Sequence, residues 1–358
     1  MKKRISIVTW LGDGNYGTAL QAFALKHKVE TLGHEAQLLY KIGVVRSIKS
    51  AIGKLLFWKR KEKTESEQIL DAFWRQYGNV RIVYSLFPKT KLRKETDLFL
   101  NGSDQVWNTY FYFDPFYFLS FAGDKRKAAY ASSIGTDRVN PKYEKQVCAF
   151  LKDFSHIGMR EESGVKALRE ITGRKDIRQV VDPTFLIDSE EWKSISRDYF
   201  PKDVKDNYLL VYLIGDNKEY QDAVEELARK NSLDNIIVID SKESGTIVRG
   251  TRNISFISPL GFVALIQNAA LVCTDSFHAT AISIYSGREF VVLKRFSDTD
   301  KASQNSRLYD LLSRYQLTDR LYSQGMELTG IDYARVHNLL ERDIKDSEEF
   351  LIKTIGND

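Results

Sequence analysis

The residues best suited to chemistry sit in one stretch, Ala270-Leu-Val-Cys-Thr-Asp-Ser-Phe-His-Ala-Thr-Ala-Ile-Ser-Ile-Tyr-Ser286. A short apolar strand over 270–274 runs into Asp275 and Ser276, both good helix caps, and an apolar-periodic helix follows. That order puts His278 in the first helical turn, where backbone N–H groups lack intrahelical partners and the helix dipole is positive. Such a helix start attracts phosphate or carboxylate. An imidazole beside a bound anion is what proton transfer on a small phosphorylated acid requires. The plainer reading of the same residues is a capped helix with a histidine next to the cap.

Three further stretches offer polar groups at predicted strand ends. Leu11-Gly-Asp-Gly-Asn-Tyr-Gly17 follows a strand over 5–10 and precedes a helix over 18–32. Gly12, Gly14 and Gly17 spell G-x-G-x-x-G, the dinucleotide-binding pattern, which also needs an acid at the end of the second strand. Tyr40 and Lys41 stand there instead, so no NAD or NADP cofactor is expected, although Lys41 or Arg46 would suit a 2′-phosphate. The glycines read better as a tight turn that lets backbone approach another ligand. Asn101-Gly-Ser-Asp-Gln-Val-Trp-Asn108 follows a strand over 96–100 and gathers amide, carboxylate and aromatic groups that suit a sugar. The alternative is an Asx-rich turn with a packed Trp107. Arg160 ends a strand over 155–160 and suits an anion, or a structural ion pair.

The elements that must position these groups alternate strand and helix along the whole chain. With 358 residues the chain suggests two domains of roughly 150 to 180 residues. The expected fold is α/β: two doubly wound Rossmann-like domains facing across a cleft, residues 1–185 and 186–330, with a helical tail over 331–358. In the second half, strands are expected over 208–214, 235–239, 254–257, 270–274 and 289–293. Helices are expected there over 219–231 and 259–267. The first half closes at Val180-Val-Asp-Pro-Thr-Phe-Leu186, with Pro183 marking the break.

Residues 41–77 read as a basic helical insertion. Lys41, Arg46, Lys49, Lys54, Lys59, Arg60, Lys61 and Lys63 are interleaved with Ile48, Ile52, Leu55, Leu56, Phe57 and Trp58. Such a segment suits an anionic membrane surface, or serves as a flap on the first domain. The chain carries 53 basic and 48 acidic residues, a net charge of +5, which does not suggest a nucleic-acid binder. Cys148 and Cys273 lie in apolar surroundings and read as buried thiols of a reducing compartment. The basic start leads into an apolar run too short for a signal peptide, and no run is long enough to span a bilayer. A cytoplasmic protein is expected, with peripheral membrane contact at most. No His, Cys and Asp spacing suits a metal, and no Gly-Lys-Ser/Thr phosphate loop is present.

Four segments in order resemble the polysaccharide pyruvyl transferase family. They are Gly14-Asn-Tyr-Gly-Thr-Ala-Leu-Gln21, Gly102-Ser-Asp-Gln-Val-Trp-Asn108, Asp182-Pro-Thr-Phe-Leu186 and Thr274-Asp-Ser-Phe-His-Ala279. Arg160 with Glu161, and Asn305-Ser-Arg307, fit as well. The resemblance implies a GT-B-like fold and transfer of pyruvate from phosphoenolpyruvate onto two sugar hydroxyls as a cyclic ketal. The implied acceptor is a glycan or lipid-linked glycan precursor. By position, His278 is implied at the donor site, with Arg160 as an anion-binding arginine and Ser276 and Phe277 beside them. Some family members carry an arginine where this chain has Ser276, so a second cation is needed, and Arg307, Lys294 or Arg295 are the candidates. Asp13 or Asp104 is the candidate base. Asn15, Tyr16, Ser103, Gln105, Trp107 and Asn108 are the candidate acceptor contacts. The rival expectations are a nucleotide-sugar glycosyltransferase on the same fold and a catalytically silent glycan-binding relative.

Overall fold

A computed structural model describes residues 1–12, 15–43, 63–85, 88–240, 248–297 and 303–356. Its strands form two parallel sheets. The first holds β1 (Arg4–Val8), β2 (Glu35–Ile42), β3 (Val80–Tyr84), β4 (Leu98–Asn101), β5 (Arg126–Ser132), β6 (Phe154–Met159) and β7 (Arg178–Gln179), in the order β3-β2-β1-β4-β5-β6-β7. The second holds β8 (Tyr208–Tyr212), β9 (Asn235–Ile239), β10 (Arg252–Ile254), β11 (Leu271–Thr274) and β12 (Phe290–Val292), in the order β10-β9-β8-β11-β12. The inner strands β4, β8 and β11 are buried at every position, which is why they read as nearly unbroken apolar runs.

Helices fill the crossovers: α1 (Tyr16–Thr31), α2 (Glu65–Tyr77), α3 (Thr90–Lys94), α4 (Glu144–Leu151), α5 (Glu162–Thr172), α6 (Ser189–Ser196), α7 (Tyr220–Lys230), α8 (Pro259–Asn268), α9 (Phe277–Tyr285), α10 (Ser306–Arg314) and α11 (Tyr333–Gly356). Strand order reverses between β1 and β4, and again between β8 and β11. A crevice opens at the carboxyl ends of the strands at such a reversal, and ligands bind there. The helix α1 starts at the first reversal and α9 at the second. Asn15 caps α1 by accepting from the Thr18 N–H at 3.2 Å, and Ser276 caps α9 by accepting from the Ala279 N–H at 3.5 Å.

One apolar core runs through both halves, taking in Phe23, Trp192, Tyr212, Phe262 and Tyr285. Tyr16 of α1 stacks on Phe262 of α8 with centroids 5.0 Å apart. The tail forms one helix, α11, that straps the halves together. Its Asp343 pairs with Arg314, its Glu348 pairs with Lys28, and its Ser347 Oγ accepts from the Val181 N–H at 3.0 Å. Among the described residues no helix is long and apolar enough to cross a membrane.

Two elements differ from expectation. Residues 65–77 are not part of an insertion but the crossover helix of a β2-α2-β3 unit. The reciprocal bonds between Thr64 and Glu67 at 3.1 and 3.3 Å start that helix. The edge strand β3 escapes prediction because only Val83 of its five residues is buried, so its pattern is not that of a core strand. Most of the basic stretch, residues 44–62, lies outside the described residues, as does Asp13.

Candidate functional site

The two helix starts meet at His278. A Cβ added to Gly17 of α1 would stand 2.4 Å from His278 Nδ1 and 2.5 Å from its Cγ. No side chain fits between α1 and the imidazole, so Gly17 is required by close approach rather than by phosphate binding. On the ring's other side, Nε2 lies 3.5 Å from Asp182 Oδ2 and forms no hydrogen bond. His278 is only 5% exposed, so this buried nitrogen has an ion-pair contact with Asp182 but no aligned hydrogen-bond partner.

Asp182 follows β7 and caps the short turn Pro183–Leu186, accepting from Thr184 N at 3.0 Å and Thr184 Oγ1 at 2.9 Å. It also accepts from Ser103 Oγ at 3.3 Å and Arg160 Nη1 at 3.1 Å. Burial works to raise its pKa, yet His278, Arg160 and these donors hold it well below the usual carboxylate range. Asp104 sits at the end of β4 with φ at 69° and accepts from Thr18 Oγ1 at 2.7 Å. Burial again opposes its ionisation, while His278, Arg160 and the Thr18 bond keep its pKa lowered. Both acids therefore stay carboxylates at neutral pH.

Arg160 is caged. Its Nε donates to Glu161 Oε1 at 2.6 Å, and its Nη1 lies 3.1 Å from Asp182 and 3.8 Å from Asp104. Phe277 covers one face, its ring centroid 4.2 Å from the guanidinium carbon. Burial disfavours the charge, but the three carboxylates raise the pKa above that of an ordinary arginine. Arg160 nevertheless lines a small cavity together with Asp182, Phe277 and Arg307, so the carboxylates hold it in place where an anion would meet it. Its charge is already more than balanced, its side chain is 1% exposed, and only Nη2 lacks a partner.

Arg307 is the opposite case. It is 7% exposed, and among the described residues it bonds only to Gln304, through the main-chain O at 3.3 Å and Oε1 at 3.1 Å. Among the described residues no carboxylate lies within ion-pair distance of it. Burial and the nearby Arg160 and Arg295 pull its pKa down to about 9. Arg295 is already committed, donating to Asp275 at 3.1 Å, and Lys294 is exposed. Asp275, read from sequence as a cap, instead ties the sheet edge together. It accepts from Ile214 N and Gly215 N at 2.8 Å each, and from Tyr220 Oη at 3.0 Å.

The loop after β4 is more structural than its composition suggests. Trp107 is 1% exposed and stacks on Phe118 at 5.5 Å, inside a second core, so the expectation that it meets a sugar is corrected. Its indole N–H donates to Tyr117 O at 2.9 Å. Ser103 is fully buried, bonded to Ala131 O at 2.8 Å. Asn108 uses both ends of its amide inside the loop, and Gln105 reaches across to Gln304 at 3.0 Å. Asn15 and Tyr16 do border open space. They line a cleft of about 1060 Å³ between the halves, with Tyr40, Trp74, Asp240 and Phe256 on its other walls. Among the described residues no three His, Cys, Asp or Glu side chains are grouped to hold a metal ion. Sequence reasoning did not single out Asp182 or Gln304 as site residues. Asp182 carried the signal of an Asp-Pro turn, and Gln304 carried none.

Comparison with known proteins adds the context. UDP-GlcNAc 2-epimerase from Neisseria meningitidis, solved bound to UDP-GlcNAc, is similar in structure over 100% of both chains, with 10% identity and a TM-score of 0.51. An alpha-glucosyltransferase solved with UDP and DNA matches 98% of this chain and 95% of its own, with 10% identity and a TM-score of 0.48. A wall teichoic acid polymerase matches 99% of this chain and 83% of its own, with 10% identity and a TM-score of 0.47. At such identity the likeness concerns the fold alone, which is GT-B-like. No curated protein matches the chain. A family model described as polysaccharide pyruvyl transferase matches residues 15–295. That span takes in α1, the second strand-order reversal, the capped start of α9 and His278, and the chain belongs to the polysaccharide pyruvyl transferase family.

Proposed function

We propose that the protein moves pyruvate from phosphoenolpyruvate onto two hydroxyls of one sugar, in a glycan or lipid-linked glycan precursor. The observation that supports this reading is that Asp104 feels the charges of both His278 and Arg307, while His278 Nε2 makes no hydrogen bond and Arg307 has no carboxylate within ion-pair distance among the described residues. Phosphoenolpyruvate is a small polyanion. Its carboxylate or phosphate would supply Arg307 with a bidentate partner and remove the cost of a buried, unbalanced cation. Arg307 then takes the part of the second cation that Ser276 does not supply.

In the reaction the methylene carbon gains a proton, the central carbon forms two C–O bonds, and its bond to the phosphate oxygen breaks. The two sugar hydroxyls release two protons. One balances the new methyl group and the other leaves with phosphate. His278 is the group that moves protons, because imidazole exchanges them near neutral pH. Asp182 and Asp104, held as carboxylates, favour positive charge developing on the reacting carbon. Arg160 holds Asp182 beside His278. Asn15 and Tyr16, on the wall of the large cleft one turn from Gly17, are the acceptor contacts this reading favours.

Thermal unfolding with added ligands tests the reading, since a ligand that binds the native state raises its stability by mass action. Phosphoenolpyruvate should raise the melting temperature, and Arg307→Met should reduce the shift at the same ligand concentration. Stabilisation by UDP and not by phosphoenolpyruvate would favour a nucleotide-sugar glycosyltransferase instead.

A further inference from the structure

The site is joined to the protein surface by a chain of side-chain amides that crosses between the two halves. Arg307 Nη2 donates to Gln304 Oε1 at 3.1 Å, and the same oxygen accepts from Gln105 Nε2 at 3.0 Å. Gln105 Oε1 accepts from Asn108 Nδ2 at 2.9 Å. Asn108 Oδ1 accepts from the backbone N–H groups of Tyr110 at 3.2 Å and Phe111 at 3.1 Å. Amide oxygen and nitrogen are assigned from their partners, and here both ends make the same assignment. A guanidinium only donates, so Gln304 must offer it oxygen. A backbone N–H only donates, so Asn108 must offer it oxygen. Working inward from either end gives every amide the same orientation, with no frustrated link.

The chain ends on the turn Tyr110-Phe111-Tyr112. These three rings are 39%, 73% and 50% exposed, in a protein whose other large aromatic side chains are mostly covered. The turn is anchored by Tyr112 Oη, which donates to Asp114 Oδ2 at 2.9 Å, and by an edge contact of Phe111 with Trp10 at 6.2 Å. Exposed aromatic faces set beside side-chain amides are the kind of surface that takes the apolar face of a pyranose ring.

We infer that Gln304 and Gln105 are positioning residues that link anion occupancy at Arg307 to the order of this aromatic turn, so that donor binding prepares a surface for a sugar acceptor. The inference rests on the reading of Arg307 as the donor's cation. Without an anion, Gln304 Oε1 is shared between Arg307 and Gln105. An anion that engages Arg307 Nη2 leaves that oxygen to Gln105 alone, which tightens the link between the halves and the turn it holds. The order of events follows: donor first, then acceptor.

Amide hydrogen exchange of the peptide spanning residues 108–114 tests this on the full-length protein. In the wild type, saturating phosphoenolpyruvate should slow exchange at Tyr110 and Phe111 several-fold. In Gln105→Met, phosphoenolpyruvate should still bind within several-fold of wild type, but exchange in the turn should no longer respond to it. Gln304→Met removes the acceptor of Arg307 itself. Because the anion displaces that acceptor, phosphoenolpyruvate binding should be retained or tightened, and the response should again be abolished. If either variant fails to fold, the other, from the opposite half, gives the same readout. A turn indifferent to a phosphoenolpyruvate that binds would overturn the inference, and so would a wild-type response in both variants. If phosphoenolpyruvate does not bind the wild type, the donor assignment fails separately. Inorganic phosphate, which needs only the cation, then decides the inference by the same measurement.

Discussion

Arg160 and Arg307 are buried in the same crevice and have opposite electrostatic surroundings. Glu161, Asp182 and Asp104 surround Arg160, and its pKa is raised. Among the described residues Arg307 has only the oxygens of Gln304, and its pKa is pushed down to about 9. A buried charge must be paired or it costs stability. Arg160 is paired from within the fold, and it braces Asp182 beside His278. Arg307 is left for a partner from outside. Sequence alone ranks the two the other way, because Arg160 stands at a strand's carboxyl end and Arg307 in a helix.

The largest effect should come at the histidine between these charges. His278→Gln keeps a neutral hydrogen-bonding side chain but cannot titrate. Turnover at saturating phosphoenolpyruvate should fall by roughly two to four orders of magnitude, with donor affinity within several-fold of wild type. Near-normal turnover would remove His278 from the chemistry.

Next comes the paired arginine. Arg160→Met leaves three buried carboxylates without their cation, and a broken buried pair costs about 3–5 kcal/mol. Urea unfolding should show that loss with no ligand present. A variant as stable as wild type would dissolve the contrast drawn above. Arg307→Met should do the reverse. An unbalanced buried cation is replaced by an apolar side chain, so stability should hold or rise. Phosphoenolpyruvate affinity should drop by roughly tenfold to a hundredfold, the worth of hydrogen bonds to a charged group. Isothermal titration measures this directly, and an unchanged affinity would leave the donor to Arg160.

The smallest and most graded effect is with pH. Asp104 and Asp182 have folded pKa values below those of the unfolded chain. The unfolded state therefore takes up protons first. The stability they contribute is complete above about pH 4, the ordinary carboxylate value, and is lost as pH falls through their lowered values. The urea midpoint should stay level from neutral to about pH 5 and decline below about pH 4. Arg160→Met should lessen that decline in part, since His278, the larger cause of the lowering, remains while Arg160 is gone. An acid limb as steep as that of wild type would mean the two carboxylates owe little to Arg160.

Much of the fold was legible because its signals are local. The alternation of strand and helix follows from apolar spacing. Ser276 was recognisable as a helix start because a capping side chain bonds within three residues of itself, whereas Asn15, read as an acceptor contact, caps a helix that begins two residues earlier than expected. The strand β9 falls on residues 235–239 as its run of Ile and Val predicts. The edge strand β3 was not legible, since an edge strand buries little and so lacks the pattern that marks a buried one.

By itself the sequence determined the doubly wound plan, the placing of His278 in the first turn of α9, and the family. Tertiary structure decided what each charged side chain is for. Gly17 serves the imidazole of His278, a residue from the other half of the chain. Asp182 reached the site from a turn that reads as punctuation, and Trp107 left it for the core. Gln304 meets Gln105 across 199 residues of sequence. The physical reason is the same in each case. Helix caps and strand patterns are set by neighbours a few residues away, while the worth of a buried charge or amide depends on which distant groups the two sheets bring against it.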